Sequence, residues 1–328
     1  MTTAETTTFY CVGSPDEVAW FLGAVAESIS RPELNRIDVE RGLLRAEAHG
    51  HGAGLAALHD IWRWGARGHG LAGFDEVGLR NVGTRDVQDW LSRFFTADNA
   101  GLWVTNDSLV DIELALPAGE RQGPPRPGPR MTATPSYFPS NVSTVSLSAE
   151  VARGGWPGLV AWLLERRLMA RLRYQEGVTY GVQTDVDTCG TDVRRIIVSL
   201  DAVPDQLAHV ARVAVEVVDA LVTQGPTTDE LNAWSNLCKP GPREPQVVVA
   251  ELSRLVYNSL MGLPRQSPHE IHQAALGLTT ETVKATLADM HTTSLWCVPY
   301  GFEVPGVARV QEGNGQRLKG TNYFPPAG

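Results

Sequence analysis

The sequence predicts an α+β fold made of two related lobes, in each of which an antiparallel-type sheet carries helices on one face. The chain has 328 residues, which is long for one hydrophobic core. Residues 117–139 contain seven prolines and three glycines, a composition that disfavours both a helix and a central strand. The parts of the chain on either side repeat one order of elements. We therefore predict a front lobe at 1–116, a proline-rich linker at 117–139 and a rear lobe at 140–328.

The repeat is visible where helices begin and where strands follow them. A β-type run, FYCVG in the front part and RIIVSL in the rear part, precedes a helix that opens at Pro15-Asp16 or Pro204-Asp205. Both parts then end in a helix followed by a predicted strand that contains Leu-Trp, at residues 102–103 and 295–296. The shared order indicates an internal duplication.

The rear part contains a segment that the front part lacks. Residues 141–195 hold a predicted strand, STVSLSAEV, and an apolar predicted helix, GLVAWLLERRLMA. The front part begins close to its own second strand and has no counterpart to this segment. We therefore predict that the first lobe is truncated at its N-terminal end.

Composition excludes several classes of function. The net charge of −9 disfavours nucleic-acid binding, which needs clustered Lys and Arg. No apolar run reaches the ~20 residues that a membrane helix requires. The four cysteines show no C-x-x-C spacing, and the N-terminal residues do not resemble a signal peptide. We expect a cytoplasmic protein with reduced cysteines and no binding to nucleic acid or membranes.

The stretch LMARLRYQEGVTYGVQTDV carries the clearest motif. Arg173 lies near the predicted end of the apolar helix, Gly177 follows in a short polar turn, and Tyr180 lies on the predicted next strand. This arrangement resembles the signature of the second domain of the insulinase/pitrilysin metallopeptidases, an inverzincin family. The family's later T-x-x-E-L helix start is matched by Thr227, Glu230 and the residue that follows. The front segments RPELNRIDVERGLLRAE and VGTRDVQDWLSRFFTADNAGLWVTND resemble the later half of a first domain.

The resemblance implies a function that this chain performs with a partner. The family binds zinc through H-x-x-E-H, and this sequence contains no such motif, so we expect no zinc in this chain. In two-chain members of the family one subunit holds zinc, and the other supplies the Arg/Tyr pair. The resemblance therefore implies a homologous zinc-binding partner with H-x-x-E-H and a peptide substrate. It also implies catalytic roles for Arg173 and Tyr180 as donors to the developing oxyanion. Bacterial pairs of this kind process peptides, including leader segments.

Other interpretations remain open on the sequence alone. One alternative is that both residues of the motif are structural. In that case Arg173 caps its own helix, and Tyr180 packs on the sheet with its hydroxyl bound locally. A second hypothesis for the whole chain is a catalytically silent peptide-binding or scaffold homodimer of the same fold, in which the Arg/Tyr pair has lost its catalytic role.

A third interpretation is an independent metal enzyme that uses clustered histidines. His49, His51, His59 and His69 lie close together in the sequence, and His269 and His272 form a second group. Their spacings do not place three ligands together, so we expect the first group at the surface or at helix ends and the second group in structural or solvent-facing positions.

Overall fold

The computed structural model contains ten α-helices and one six-stranded sheet in the residues that it describes. It describes residues 2–3, 5–51, 55–73, 77–105, 112, 114–124, 127–241 and 244–310. The predicted rear lobe extends to residue 328, and its part at 311–328 lies outside the described residues. The helices are α1 Pro15–Ser30, α2 Ile37–His51, α3 Leu55–Trp64, α4 Thr84–Phe94, α5 Pro157–Leu168, α6 Leu207–Gln224, α7 Thr228–Leu237, α8 Pro245–Leu260, α9 Pro268–Leu276 and α10 Thr280–Thr292. The strands are β1 Ser136–Ser140, β2 Thr144–Ala152, β3 Val182–Cys189, β4 Val193–Asp201, β5 Leu295–Pro299 and β6 Ala308–Arg309.

The sheet has the order β3-β4-β2-β5-β1-β6. The neighbouring pairs β3–β4, β4–β2 and β2–β5 are antiparallel, whereas β1 pairs parallel with both β5 and β6. The longest ladder joins β2 to β4 and runs from the pair Thr144–Asp201 to the pair Ala152–Val193. The fold is therefore α+β with a mainly antiparallel sheet, as the sequence predicts.

The main hydrophobic core lies between one face of the sheet and helices α5, α6 and α10. Alternate residues of each central strand point into it, as the two-residue period of a strand requires. The strand residues are Val145, Leu147, Ala149, Val151, Ile196, Val198, Leu200, Trp296 and Val298. The helix α5 contributes Leu159, Leu163, Leu164 and Leu168, all nearly inaccessible to solvent.

Helix α3 covers the opposite face of the sheet, so the helices are not confined to one face as the sequence predicts. A smaller apolar cluster of Phe138, Leu295 and Cys297 lies there, with Leu58 and Trp62 packed against it. The Trp62 and Phe138 rings stack with their centroids 5.0 Å apart.

The chain divides into two compact units whose segments interleave in the sequence. The helical unit consists of Met1–Gly50, Asp75–Pro125 and Pro240–Ser267, and the sheet unit consists of His51–Phe74, Arg126–Lys239 and Pro268–Gly328. The sequence predicts lobes that are consecutive segments, whereas the two units interleave. Among the described residues, the sheet unit includes α3 from the front of the chain, and the helical unit includes α8 from the rear.

The strands predicted in the front part are wrong. The segments FYCVG and Leu102-Trp103 form no strand, and the six strands found in the described residues all lie in the sheet unit. Their aromatic residues nevertheless lie together within the helical unit, because the Tyr10 and Trp103 rings are 6.1 Å apart. The aromatic residues of these segments thus make a ring contact rather than occupy positions in a backbone ladder.

The prediction that 117–139 contains no central strand is also wrong at its end. Strand β1 begins at Ser136 and lies between β5 and β6. Ser136 N donates toward β5, and Tyr137 O accepts from Val310 on the opposite side. By alternation Pro139 faces the β6 side, where only residues 136 and 137 are paired. The missing N–H of Pro139 therefore removes no ladder bond.

Candidate functional site

Helix α5 and the π-helix that continues it position Arg173. The π-helix spans Met169–Gln175. Leu164, Leu168 and Leu172 are fully buried and recur every four residues, so one stripe of the helical segment is fixed against the core. Arg173 follows directly after this stripe and is exposed. π-Helical turns are rare and occur often at functional sites.

A tight reversal follows the π-helix. Gly177 adopts a φ of +67°, a left-handed conformation that favours glycine. The amide of Glu176 donates to Arg171 O at 3.2 Å, and the amide of Val178 donates to Leu172 O at 2.9 Å. These two bonds close the end of the helical segment and turn the chain back toward β3.

The strand side of the reversal is fixed to the end of β4. Thr179 Oγ1 donates to Asp201, with its carbonyl oxygen at 2.7 Å and Oδ1 at 3.0 Å. The amide of Gly181 also donates to Asp201 Oδ1 at 3.2 Å. Tyr180 lies between these two anchored residues, so its backbone is held although its side chain is exposed.

The reversal brings Arg173 and Tyr180 together. The guanidinium carbon of Arg173 lies 5.8 Å from the centroid of the Tyr180 ring, within cation–π distance. The sequence placed Tyr180 on the strand, but β3 begins two residues later, at Val182. Tyr180 is 85% exposed, so the alternative in which its ring packs on the sheet is wrong.

The carboxylate of Glu176 ties the reversal to two helices. It accepts from Arg171 Nε at 2.5 Å and from His209 Nε2, on α6, at 2.6 Å. The hydrogen bond from Arg171, followed by that from His209, lowers the pKa of Glu176 below its usual value. Glu176 is therefore ionised at neutral pH and accepts from both partners.

The arrangement is suited to hydrogen-bond donation toward a bound molecule. A guanidinium has five N–H donors and a phenol has one O–H donor, and both are presented to solvent on a held turn. Such donors can bind a peptide carbonyl oxygen and the negative charge that develops on it.

The described residues contain no group of three His, Cys, Asp or Glu side chains placed to hold a metal ion. The side chains of His49 and His51 lie outside the described part of the chain. His59 and His69 are buried, so the expectation that they lie at the surface or at a helix end is wrong. His272 has a structural contact, because its Nδ1 lies 2.9 Å from Ser235 O. His269 is exposed.

A buried polar cluster between α3 and the sheet was not found from the sequence. Arg63 is fully buried and donates from Nη2 to Ser148 O at 3.0 Å and Oγ at 2.8 Å, and from Nη1 to Thr293 O at 3.0 Å. It also faces Glu150, which accepts from Arg130 Nε at 2.9 Å. Burial lowers the pKa of Arg63 to about 10, so it remains charged at neutral pH.

A second part of the cluster surrounds Arg195 on β4. Its guanidinium pairs with Asp60 of α3 and with Asp187 of β3, the latter at 2.7 Å. It also lies over the ring of Trp64, 5.7 Å from its centroid. The cluster joins α3 to three strands, which explains why a helix from the front of the chain belongs to the sheet unit.

This fold is also found in solved structures, of which we describe three. A peptidase M16 inactive domain from Pseudomonas fluorescens has a TM-score of 0.65 at 16% identity, and the match covers 91% of this chain and 78% of that one. A protease from Helicobacter pylori has a TM-score of 0.65 at 13% identity, covering 86% and 76%. A chain of complex III2 from Candida albicans has a TM-score of 0.60 at 11% identity, covering 86% and 75%.

At these identities the likeness shows the fold. No protein-family model and no curated protein matches the sequence. None of the helices in the described residues is long and apolar enough to span a membrane.

Proposed function

We propose that this chain, which has the fold of M16 (insulinase/pitrilysin) peptidase domains, is the zinc-free subunit of a two-chain metallopeptidase. The observation that carries the proposal is the exposed Arg173–Tyr180 pair on a turn anchored from both sides. Both side chains are exposed and contribute little to packing within the chain. The hydrogen bonds that fix their backbone are therefore better explained by a role in contacting another molecule than by a role in folding. A homologous partner with H-x-x-E-H would hold the zinc ion.

The chemistry assigned to this chain is stabilisation of charge. During peptide-bond hydrolysis the carbonyl oxygen of the scissile bond becomes an oxyanion. The Tyr180 hydroxyl and the Arg173 guanidinium would donate hydrogen bonds to this oxygen and to the neighbouring peptide backbone. The zinc ion of the partner would supply Lewis-acid chemistry and the activated water. Neither residue of this chain transfers a proton in this scheme.

The substrate we propose is an extended peptide, and leader segments of modified peptides are the substrate class suggested by the family resemblance. Strand β3 is at one edge of the described sheet, pairs with β4, and begins two residues after Tyr180. An extended peptide can add to such an edge through main-chain hydrogen bonds. The geometry would place the bound backbone beside the Arg/Tyr pair. We place the complex in the cytoplasm.

Two of the similar structures support a subunit role. The Pseudomonas fluorescens structure is described as an inactive domain of an M16 peptidase, and the Candida albicans chain comes from a multi-subunit complex. The first description also favours a second candidate function, a catalytically silent peptide-binding or scaffold homodimer. In that case the Arg/Tyr pair would bind peptide without promoting its cleavage.

Co-expression separates the two candidates. The full chain is produced together with a homologous chain from the same organism that contains H-x-x-E-H, and cleavage of extended peptides is measured for the pair and for each chain alone. The first proposal predicts a stable heteromer and cleavage by the pair only. A homodimer that binds peptide but does not associate with the zinc-binding chain would support the second candidate. Full activity of the zinc-binding chain alone would contradict the first.

A further inference from the structure

We propose that Glu176 is a positioning residue for the Arg173–Tyr180 pair, because its clamp between Arg171 and His209 closes the helical side of the turn that carries both side chains. This inference rests on the proposed function of the pair and adds the residue that sets its geometry. Glu176 immediately precedes Gly177, the residue at which the chain reverses. Arg173 lies three residues before it and Tyr180 four residues after it, so Glu176 is between the two donors.

The first half of the clamp fixes the helical side of the turn. Glu176 contacts Arg171 twice, through its backbone amide to Arg171 O at 3.2 Å and through Oε1 to Arg171 Nε at 2.5 Å. This pairing uses the guanidinium of Arg171 and leaves that of Arg173 directed to the Tyr180 ring. Glu176 therefore distinguishes two arginines that are only two positions apart.

The second half fixes the turn to helix α6. His209 Nε2 donates to Glu176 Oε2 at 2.6 Å. His209 is in the first turn of α6, and its neighbours Leu207 and Val210 are buried in the main core. Arg212 Nη1 lies 3.5 Å from His209 Nδ1 and donates toward it, which favours the tautomer with the proton on Nε2. His209 therefore connects helix α6 to Glu176 and, through Glu176, to the turn at Gly177.

Amide hydrogen exchange on the full chain tests the clamp without the partner subunit. Glu176→Ala removes both side-chain contacts and should accelerate exchange of the Val178 amide by about tenfold, because that amide is protected only while the turn is closed. His209→Ala should have a similar effect, and the double variant should add little to the larger single effect. Gln175→Ala is the matched control, since Gln175 is an exposed neighbour in the same segment. Unchanged exchange in Glu176→Ala would overturn the inference.

Peptide cleavage by the reconstituted pair tests the consequence. In Glu176→Ala the donors Arg173 and Tyr180 should be misplaced, so kcat should fall by about 10- to 100-fold with a smaller change in KM. Glu176→Gln should recover part of the lost kcat, because glutamine keeps one acceptor oxygen. If kcat stays at the wild-type value while Arg173→Ala and Tyr180→Phe reduce it, the positioning role is wrong and the proposed function stands. If none of these variants changes kcat, the catalytic role of the pair is wrong, and the positioning role is wrong with it.

Discussion

The imidazole of His59 on α3 and the hydroxyl of Ser146 on β2 form a buried hydrogen bond with Nε2 and Oγ 2.8 Å apart. The two residues are 87 positions apart in the sequence, and His59 is completely inaccessible to solvent. Ser146 points away from the main core, because Val145 and Leu147 on either side of it point into that core. The contact therefore lies on the α3 side of the sheet and helps to attach this helix.

The burial of His59 predicts a pH dependence of stability. Burial, and then the positive charges of Arg63 and Arg195, hold the pKa of His59 well below its usual value of 6.5. At this position the unfolded chain binds a proton near pH 6.5, whereas the folded chain does not. The free energy of unfolding should therefore fall as the pH falls below about 6.5. The contribution of His59 to this fall is at most about 1.4 kcal/mol per pH unit.

Urea unfolding at pH 7.5, 6.5 and 5.5 checks this dependence. His59→Gln retains a donor for Ser146 but does not titrate, so its stability should fall less steeply on acidification than that of the wild-type chain. His269→Gln, at an exposed position, is the control and should keep the wild-type slope. Equal slopes for His59→Gln and the wild-type chain would contradict the prediction.

Arg63→Met should destabilise the fold strongly. The change leaves Glu150 in a buried position with Arg130 as its remaining charged partner, and it removes the side-chain hydrogen bonds from Arg63 to Ser148. Removing one member of a buried ion pair typically costs about 3–5 kcal/mol.

The double variant Arg63→Met with Glu150→Gln identifies the cause of that loss. It should recover part of the stability, because it removes the uncompensated charge. Arg36→Met, which breaks an exposed pair with Glu40, should cost less than about 1 kcal/mol. Chemical denaturation gives the comparison, and an equally small loss in Arg63→Met would show that the buried cluster does not stabilise the sheet unit.

The turn containing Arg173 and Tyr180 could be located from the sequence because its signals are local. An apolar helix, a glycine that adopts a positive φ and the start of a β-strand follow one another within a few residues. The helix start at Thr227 was found for the same reason, and the structure shows a capping box between Thr227 and Glu230. The contact of Glu176 with α6 could not be found, because no local pattern relates residues 176 and 209.

The sequence-based predictions are wrong where contacts with distant parts of the chain determine the burial or the pairing of a segment. Helix α3 carries His59, Asp60 and Arg63, a composition typical of a solvent-exposed surface, and only their partners on the sheet make their burial possible. The segment FYCVG has the apolar composition of a strand, but within the described residues no strand lies beside it to pair with.

Arg173→Ala should reduce catalysis without affecting folding. The side chain is exposed, so the melting temperature should stay close to that of the wild-type chain. Loss of a donor to the oxyanion typically lowers kcat by about 10²–10³-fold, and KM should rise if the guanidinium also binds the substrate backbone. Arg173→Lys should recover only part of the activity, because lysine keeps the charge but lacks the planar pair of donors. Steady-state kinetics of the reconstituted pair, with Gln175→Ala as the control, would contradict the role if kcat and KM were unchanged.

The most direct measurement of the central claim is the rate of peptide cleavage by the reconstituted pair when this chain carries Tyr180→Phe. The substitution removes one hydroxyl and keeps the ring that lies beside Arg173. The account predicts that kcat falls by about 10²–10³-fold. The melting temperature, the association of the two chains and the zinc content of the partner should stay unchanged in the same samples. Cleavage at the wild-type rate would contradict the catalytic role of Tyr180, and a loss of activity that merely follows unfolding would show that the residue is structural.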